Sequence, residues 1–158
     1  MEELAAYRAD LLSALERVVD ELAVAVSRLS QIDWHQPIQL GSPTPHYLLF
    51  HLRELEAHQF SAQLPRFLDG PHTALPAFDD KAWMAGHYLP AEPASDILDD
   101  LLKLRSQELI WLRNLPPDGW SRYARHPWWG EHTLQWWVEL QLEYSIRHLR
   151  QLRSMKDV

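Results

Sequence analysis

No cysteine occurs among the 158 residues. That excludes disulfide scaffolds, thiolate-held zinc, iron–sulfur clusters and thiol nucleophiles. A basic surplus is also missing. The formal net charge is −7, which argues against a general nucleic-acid binder, because counterion release from a phosphate backbone needs a positive face. No stretch approaches the roughly 20 consecutive apolar residues of a membrane span. The opening Met1-Glu2-Glu3-Leu4 has none of the basic character of a secretory signal. Internal repeats, low-complexity tracts and a credible strand pattern are absent as well. What is present is ordinary for a globular chain: 46% hydrophobic and 23% charged residues. At this length folding buries roughly 70% of the surface that the unfolded chain exposes. The expectation is one cytoplasmic domain over residues 1–158. Two abundances stand out within it, nine histidines and eight tryptophans.

Helical periodicity dominates. Leu11, Leu15, Val18, Leu22, Ala25 and Leu29 recur at steps of three and four, the stripe of a long first helix. Thr44 followed by Pro45 is a capped start for a second helix, which should reach about Gln63 because Pro65 interrupts it. A third opens near Ser95 and shows Ile97, Leu101, Leu104, Glu108 and Trp111 on one face, until Pro116-Pro117 stops it. A fourth runs from about Thr133 to Arg153. The sequence therefore predicts an all-α fold, an antiparallel four-helix bundle with a long crossover between helices 2 and 3. That crossover, from Pro65 to Pro93, holds five of the eleven prolines. A connection so long either carries a short helix, with 79–86 the candidate, or lies over the bundle end as a lid.

The informative residues are polar groups on stripes where leucine is expected. On the last helix Leu134, Trp137, Gln141, Tyr144, His148 and Gln151 line one face, and on the second His51, Leu55, His58 and Ala62 do the same, with Glu54 one turn beyond His51. Burying such groups costs roughly 1–3 kcal/mol each unless they are hydrogen-bonded or bound to a cation. Two explanations stay open on spacing alone. His51 with Glu54, or His148 with Tyr144, forms a satisfied structural pair; or the imidazoles hold a metal. Neither a His-Glu-x-x-His run nor the paired Glu-x-x-His of di-iron bundles occurs. Of the remaining histidines, His58 could line the same cavity or be structural, His46 is expected at the surface, and His126 and His132 at the pocket rim. Trp128-Trp129 either form an apolar wall for a ligand or plug the bundle end.

Three segments resemble the DinB/YfiT-like superfamily of four-helix bundles. Ser42-Pro43-Thr44-Pro45 leading into His51-Leu52-Arg53-Glu54-Leu55-Glu56 is similar to the family's second-helix segment. Gly130-Glu131-His132-Thr133-Leu134 resembles the Gly-x-x-Thr-Leu that precedes its last helix. Tyr144 to Leu152 resembles its closing His-x-x-x-His-x-x-Gln segment. The resemblance implies a divalent metal (zinc, nickel or iron) held in an open site by one histidine of the second helix and two of the last, at i and i+4. Carried over, the ligand positions fall on His51, His148 and Tyr144. The tyrosine is a departure, since a neutral phenol is a poor ligand and its free pKa is about 10. Three outcomes are open there. Tyr144 ligates as a phenolate, Glu54 swings in as a replacement, or no metal is bound and Tyr144 and His148 line a polar pocket.

The resemblance implies one of two functions. The first is a metal-dependent hydrolase or thiol S-transferase acting on a small molecule with a low-molecular-weight thiol such as bacillithiol, mycothiol or glutathione. In it His51 and His148 are ligands, Tyr144 is a third ligand or proton donor, and Glu54 is a base or supporting partner. The second is a non-catalytic, metal-free bundle that binds a small ligand or dimerises. A homodimer is implied in either case, without nucleic-acid or membrane partners.

Overall fold

The structure, a computed structural model, describes residues 2–29, 33–37 and 39–155. Five α-helices are found there: α1 (Glu2–Ser27), α2 (Pro45–Glu54), α3 (Asp80–His87), α4 (Ala94–Arg113) and α5 (Leu134–Met155). The four long ones form the expected bundle, and α3 is the short crossover helix. α2 starts as its sequence dictates, with the Thr44 hydroxyl accepting from Tyr47 N–H at 3.1 Å and Pro45 in the first turn. It continues without a break as a π-helical segment, Leu55–Ser61, followed by a 3₁₀ turn, Leu64–Leu68, that accommodates Pro65. No helix among the described residues is long and apolar enough to cross a membrane.

Two local expectations are corrected. α4 begins one residue before Ser95, with Pro93 at the cap position and no side-chain cap. Its buried face is Ile97, Leu101, Arg105, Glu108, Leu109 and Leu112, so Leu104 and Trp111 lie to one side of it. Short strands also exist: β1 (Thr73–Ala74), β2 (Tyr123–His126) and β3 (Gly130–Thr133), in the order β1-β2-β3. β1 and β2 are parallel, β2 and β3 antiparallel. His126 pairs with Gly130, whose φ of +78° suits the turn residue of a three-residue hairpin loop. Strands of two to four residues are too short to show as periodicity.

The apolar core has two halves. One gathers Leu11, Leu15, Phe60, Phe67 and Trp137, the other Leu22, Leu49, Ile97, Leu101 and Leu149. A polar layer lies between them in the helix order. On α2 and its π extension Glu56 falls between Leu52 and Phe60, on α4 Arg105 falls between Leu101 and Leu109, and on α5 Gln141 and Ser145 fall between Val138 and Leu149. Arg105 is 1% exposed and reaches every long helix. It donates to both Glu56 carboxylate oxygens at 2.7 and 2.9 Å, to the Leu15 carbonyl of α1 at 2.8 Å, and to the Ser145 hydroxyl of α5 at 2.8 Å. Gln141 Nε2 donates to Glu56 at 2.7 Å and to Glu108 at 2.6 Å.

Two buried carboxylates beside one guanidinium cannot both ionise cheaply. Burial alone would raise Glu56, but the Arg105 guanidinium and the hydrogen bonds from Glu108 and Gln141 together outweigh it and hold that carboxyl below its ordinary value. Burial, reinforced by the Glu56 charge, pushes Glu108 well above the ordinary carboxylate range. The layer therefore holds one positive charge, one negative charge and a neutral acid.

Removing one partner of a buried pair strands the other, whereas replacing a neutral acid by an amide does not. Glu56→Gln should destabilise the protein by about 3 kcal/mol or more, and Glu108→Gln by less than about 1 kcal/mol, in urea unfolding at pH 7. Equal losses would contradict the charge assignment.

Candidate functional site

Two residues of the bundle and one of the crossover meet beside the polar layer. His51 comes from the middle of α2 and His148 from the last third of α5, and their ring centroids are 5.5 Å apart. Their facing follows from the layer. Glu56 lies five residues after His51 and Ser145 three before His148, so the Arg105 bonds that fix Glu56 and Ser145 also fix the two imidazoles. His51 Nε2–H donates to the Asp80 carboxylate at 2.7 Å. Asp80 is the first residue of α3.

His148 is buried, and its Nδ1 lies 2.8 Å from the Tyr144 carbonyl one turn earlier. A carbonyl only accepts, so Nδ1 carries the hydrogen and Nε2 keeps its lone pair. No residue among those described hydrogen-bonds to that nitrogen. Burial pushes His148 down to about 4 despite the opposing carbonyl bond, and the His51 and Arg147 charges add to the depression. The imidazole is neutral at physiological pH. Tying down one ring nitrogen and leaving the other as a base is how ligating histidines are oriented. Access rises outward, from buried His148 to His51, 20% exposed, and Asp80, 42% exposed.

Tyr144 shares the α5 face with His148. Its ring packs edge-on to Phe60 at 5.7 Å, and the Arg147 guanidinium lies 5.1 Å over it. Burial raises the phenol above its ordinary value; Arg147 opposes this while the Asp80 and Glu143 charges add to it. Tyr144 is thus a neutral phenol, a poor anionic ligand but a competent hydroxyl donor. Glu54 faces other partners: one oxygen accepts from Arg53 at 2.9 Å and the other pairs with His58 at 3.2 Å. His58 stacks against Phe78 at 5.2 Å and packs at a tilt against Trp83 at 4.4 Å, which pins α3 over the π segment.

The donor chemistry fits a divalent cation in part. Two imidazoles are brought together, one with an oriented free lone pair, and a carboxylate adjoins them. Among the described residues, however, no three histidine or acidic side chains stand preassembled as a metal site. His51 Nε2 still holds its hydrogen against Asp80.

Sequence reasoning missed Asp80. It expected the helix at 79–86, and Asp79 does cap it, accepting from Ala82 N–H at 3.0 Å, but where the crossover delivers its first turn is a tertiary fact. His46 is corrected from surface to core. It is 1% exposed, its Nδ1 lies 2.7 Å from the Tyr88 hydroxyl and its Nε2 2.6 Å from the Glu92 carbonyl. His126 and His132 are part of the β2–β3 region instead. His126 Nδ1 accepts from Trp128 and Trp129 N–H, and His132 Nε2 donates to the Trp129 carbonyl. Trp129 packs on the core around Trp137, which favours the plug over the ligand wall, while Trp128 stays 57% exposed.

A histidine at about 4 in the folded chain and 6.5 when free makes the unfolded state take up a proton first. Stability of the metal-free protein should therefore fall as pH drops from about 6.5 to 4, by about 3 kcal/mol from this group. His148→Gln should lack that part of the slope in urea unfolding at stepped pH; an unchanged slope would contradict the burial argument.

No curated protein matches the chain by sequence. Among solved structures it resembles YfiT from Bacillus subtilis, described as a probable metal-dependent hydrolase with an unusual four-helix bundle topology. The TM-score is 0.86 at 21% identity, over 95% of this chain and 86% of that one. It also resembles TT2238, a four-helix bundle protein, with a TM-score of 0.63 at 17% identity over 93% and 98% of the two chains. Both likenesses speak to the fold. The DinB superfamily model matches residues 2–152, so the bundle, its crossover and its paired histidines have a family to stand in: the chain belongs to the DinB superfamily.

Proposed function

We propose that this protein is a metal-dependent enzyme acting on a small molecule, with a divalent cation held in an open site by His51 and His148. One observation carries the reading: buried, neutral His148 is anchored through Nδ1, leaves Nε2 without a hydrogen-bond partner among the described residues, and has its ring centroid 5.5 Å from that of His51. The description of YfiT as metal-dependent supports the same reading.

A bound divalent cation supplies a Lewis acid that lowers the pKa of a coordinated water or thiol and polarises an electrophile. The chain's own residues do the remainder. Nitrogen donors suit zinc, nickel or iron over magnesium or calcium. Tyr144, neutral and on the same face as His148, donates a hydrogen bond or a proton to an oxygen of the substrate. Glu54, engaged by Arg53 and His58, acts on neither proton nor substrate. It secures His58 and, through the tilted packing of His58 against Trp83, the seat of α3. The reaction class is hydrolysis or the transfer of a small thiol to an electrophile.

The competing reading is a metal-free binding bundle. It is favoured by the neutral phenol at 144 and by the hydrogen bond that His51 already makes to Asp80. Titration separates the two. Protein purified without a nickel column and stripped with chelator should bind about one zinc or cobalt(II) ion per chain. His51→Ala and His148→Ala should each abolish that binding while circular dichroism stays helical. A folded wild-type chain that takes up no cation at micromolar concentrations would establish the metal-free reading instead.

A further inference from the structure

The crossover helix supplies what α5 does not. On α5, Tyr144 presents beside His148 a phenol that burial keeps neutral, yet a carboxylate reaches His51 from a different element. Asp80 Oδ2 lies 2.7 Å from His51 Nε2, the nitrogen that would ligate. Its placement is built rather than incidental. Asp79 caps α3 through Ala82 N–H at 3.0 Å, Met84 buries to 2% exposure, and Trp83 packs on His58 at 4.4 Å. The Phe78 ring, two residues ahead of Asp80, stacks on His58 at 5.2 Å and meets Trp83 at 5.8 Å. α3 is held at both ends of its first turn, and Asp80 is what that turn aims at α2.

An aspartate of an exposed crossover could pair with any surface lysine or arginine. It binds the one histidine that faces His148 instead. A carboxylate beside two imidazoles completes a two-histidine, one-carboxylate donor set, which holds zinc and non-haem iron(II) with coordination positions left open. Asp80 is the exposed member of the group, so a substrate would approach from its side.

We propose that Asp80, and not Tyr144, is the third protein donor of this site. His51, His148 and Asp80 would hold the divalent cation, which would require the His51 Nε2–H···Asp80 Oδ2 hydrogen bond to open. That hydrogen moves to His51 Nδ1, so the imidazole stays neutral and no proton leaves the protein. The free chain has no such triad preassembled among the described residues, so the three donors have to close on the ion as this hydrogen bond opens. Tyr144 is thereby released to act as a hydroxyl donor. The inference rests on the metal-dependent reading above.

The test is a competition titration of zinc and cobalt(II) against a chromophoric chelator, on the metal-stripped full chain and its variants. Asp80→Asn, isosteric and at a partly exposed position, should weaken binding on the order of 100-fold and change the visible cobalt(II) spectrum. Tyr144→Phe should change affinity by less than about threefold, with the spectrum kept. Asp80→His, which restores a ligating atom, should recover most of the affinity. Should Asp80→Asn bind like wild type, or Tyr144→Phe lose binding as Asp80→Asn was expected to, the assignment is overturned while the metal reading stands. If wild type binds no cation and His148→Ala makes no difference, both fall.

Discussion

The guanidinium of Arg105 is the contact on which the rest depends. It is one side chain bonded to a carboxylate of the π segment that extends α2, a backbone carbonyl of α1 and a hydroxyl of α5, while rooted on α4. Leucines alone would let four amphipathic helices slide by a turn at modest cost, because hydrophobic burial is not directional. A buried charge network has one register in which every partner is met. Sliding any helix would strand an ion in a low-dielectric interior, which costs several kcal/mol. Register then becomes function. Glu56 and Ser145 lie within about two turns of His51 and His148 along their helices, and fixing the first pair fixes the second.

Burial does the chemical work at the site in two directions. It keeps His148 neutral at physiological pH, its ring hydrogen committed to a backbone carbonyl, and it keeps Tyr144 a phenol. A base with a free lone pair and a hydroxyl with its proton stand one helical turn apart on α5. The negative charge comes from outside the bundle, on an element fastened by the His58 ring contacts with Phe78 and Trp83 and by buried Met84.

Much of the architecture was legible in the sequence because it is written locally. Leucine stripes, Thr44 before Pro45 and the prolines that end helices each act within one or two turns, and even the crossover helix at Asp80–His87 announced itself. The pairing of His51 with His148 was legible too, as polar residues on buried stripes. What escaped was long-range. Nothing near Asp80 says that it will meet a histidine 29 residues earlier, and nothing near His46 foretells Tyr88 and Glu92 around it. The Arg105 layer lies between these cases. Arg105 and Glu108 recur in step with Ile97, Leu101 and Leu112, a signal lost by drawing the stripe through Leu104 and Trp111. The strands were hidden by brevity, being two to four residues each.

The central claim is that His148 offers a lone pair at Nε2 toward a site shared with His51, and long-range ¹H–¹⁵N correlation of the histidine rings reads it directly. In the metal-stripped protein at pH 7, His148 should show a protonated Nδ1 and a bare Nε2. One equivalent of zinc should then shift the Nε2 signals of His51 and His148 together and leave the other imidazoles where they were. A His148 protonated at Nε2, or zinc that perturbs His58, His126 or His132 while sparing these two, would contradict the account.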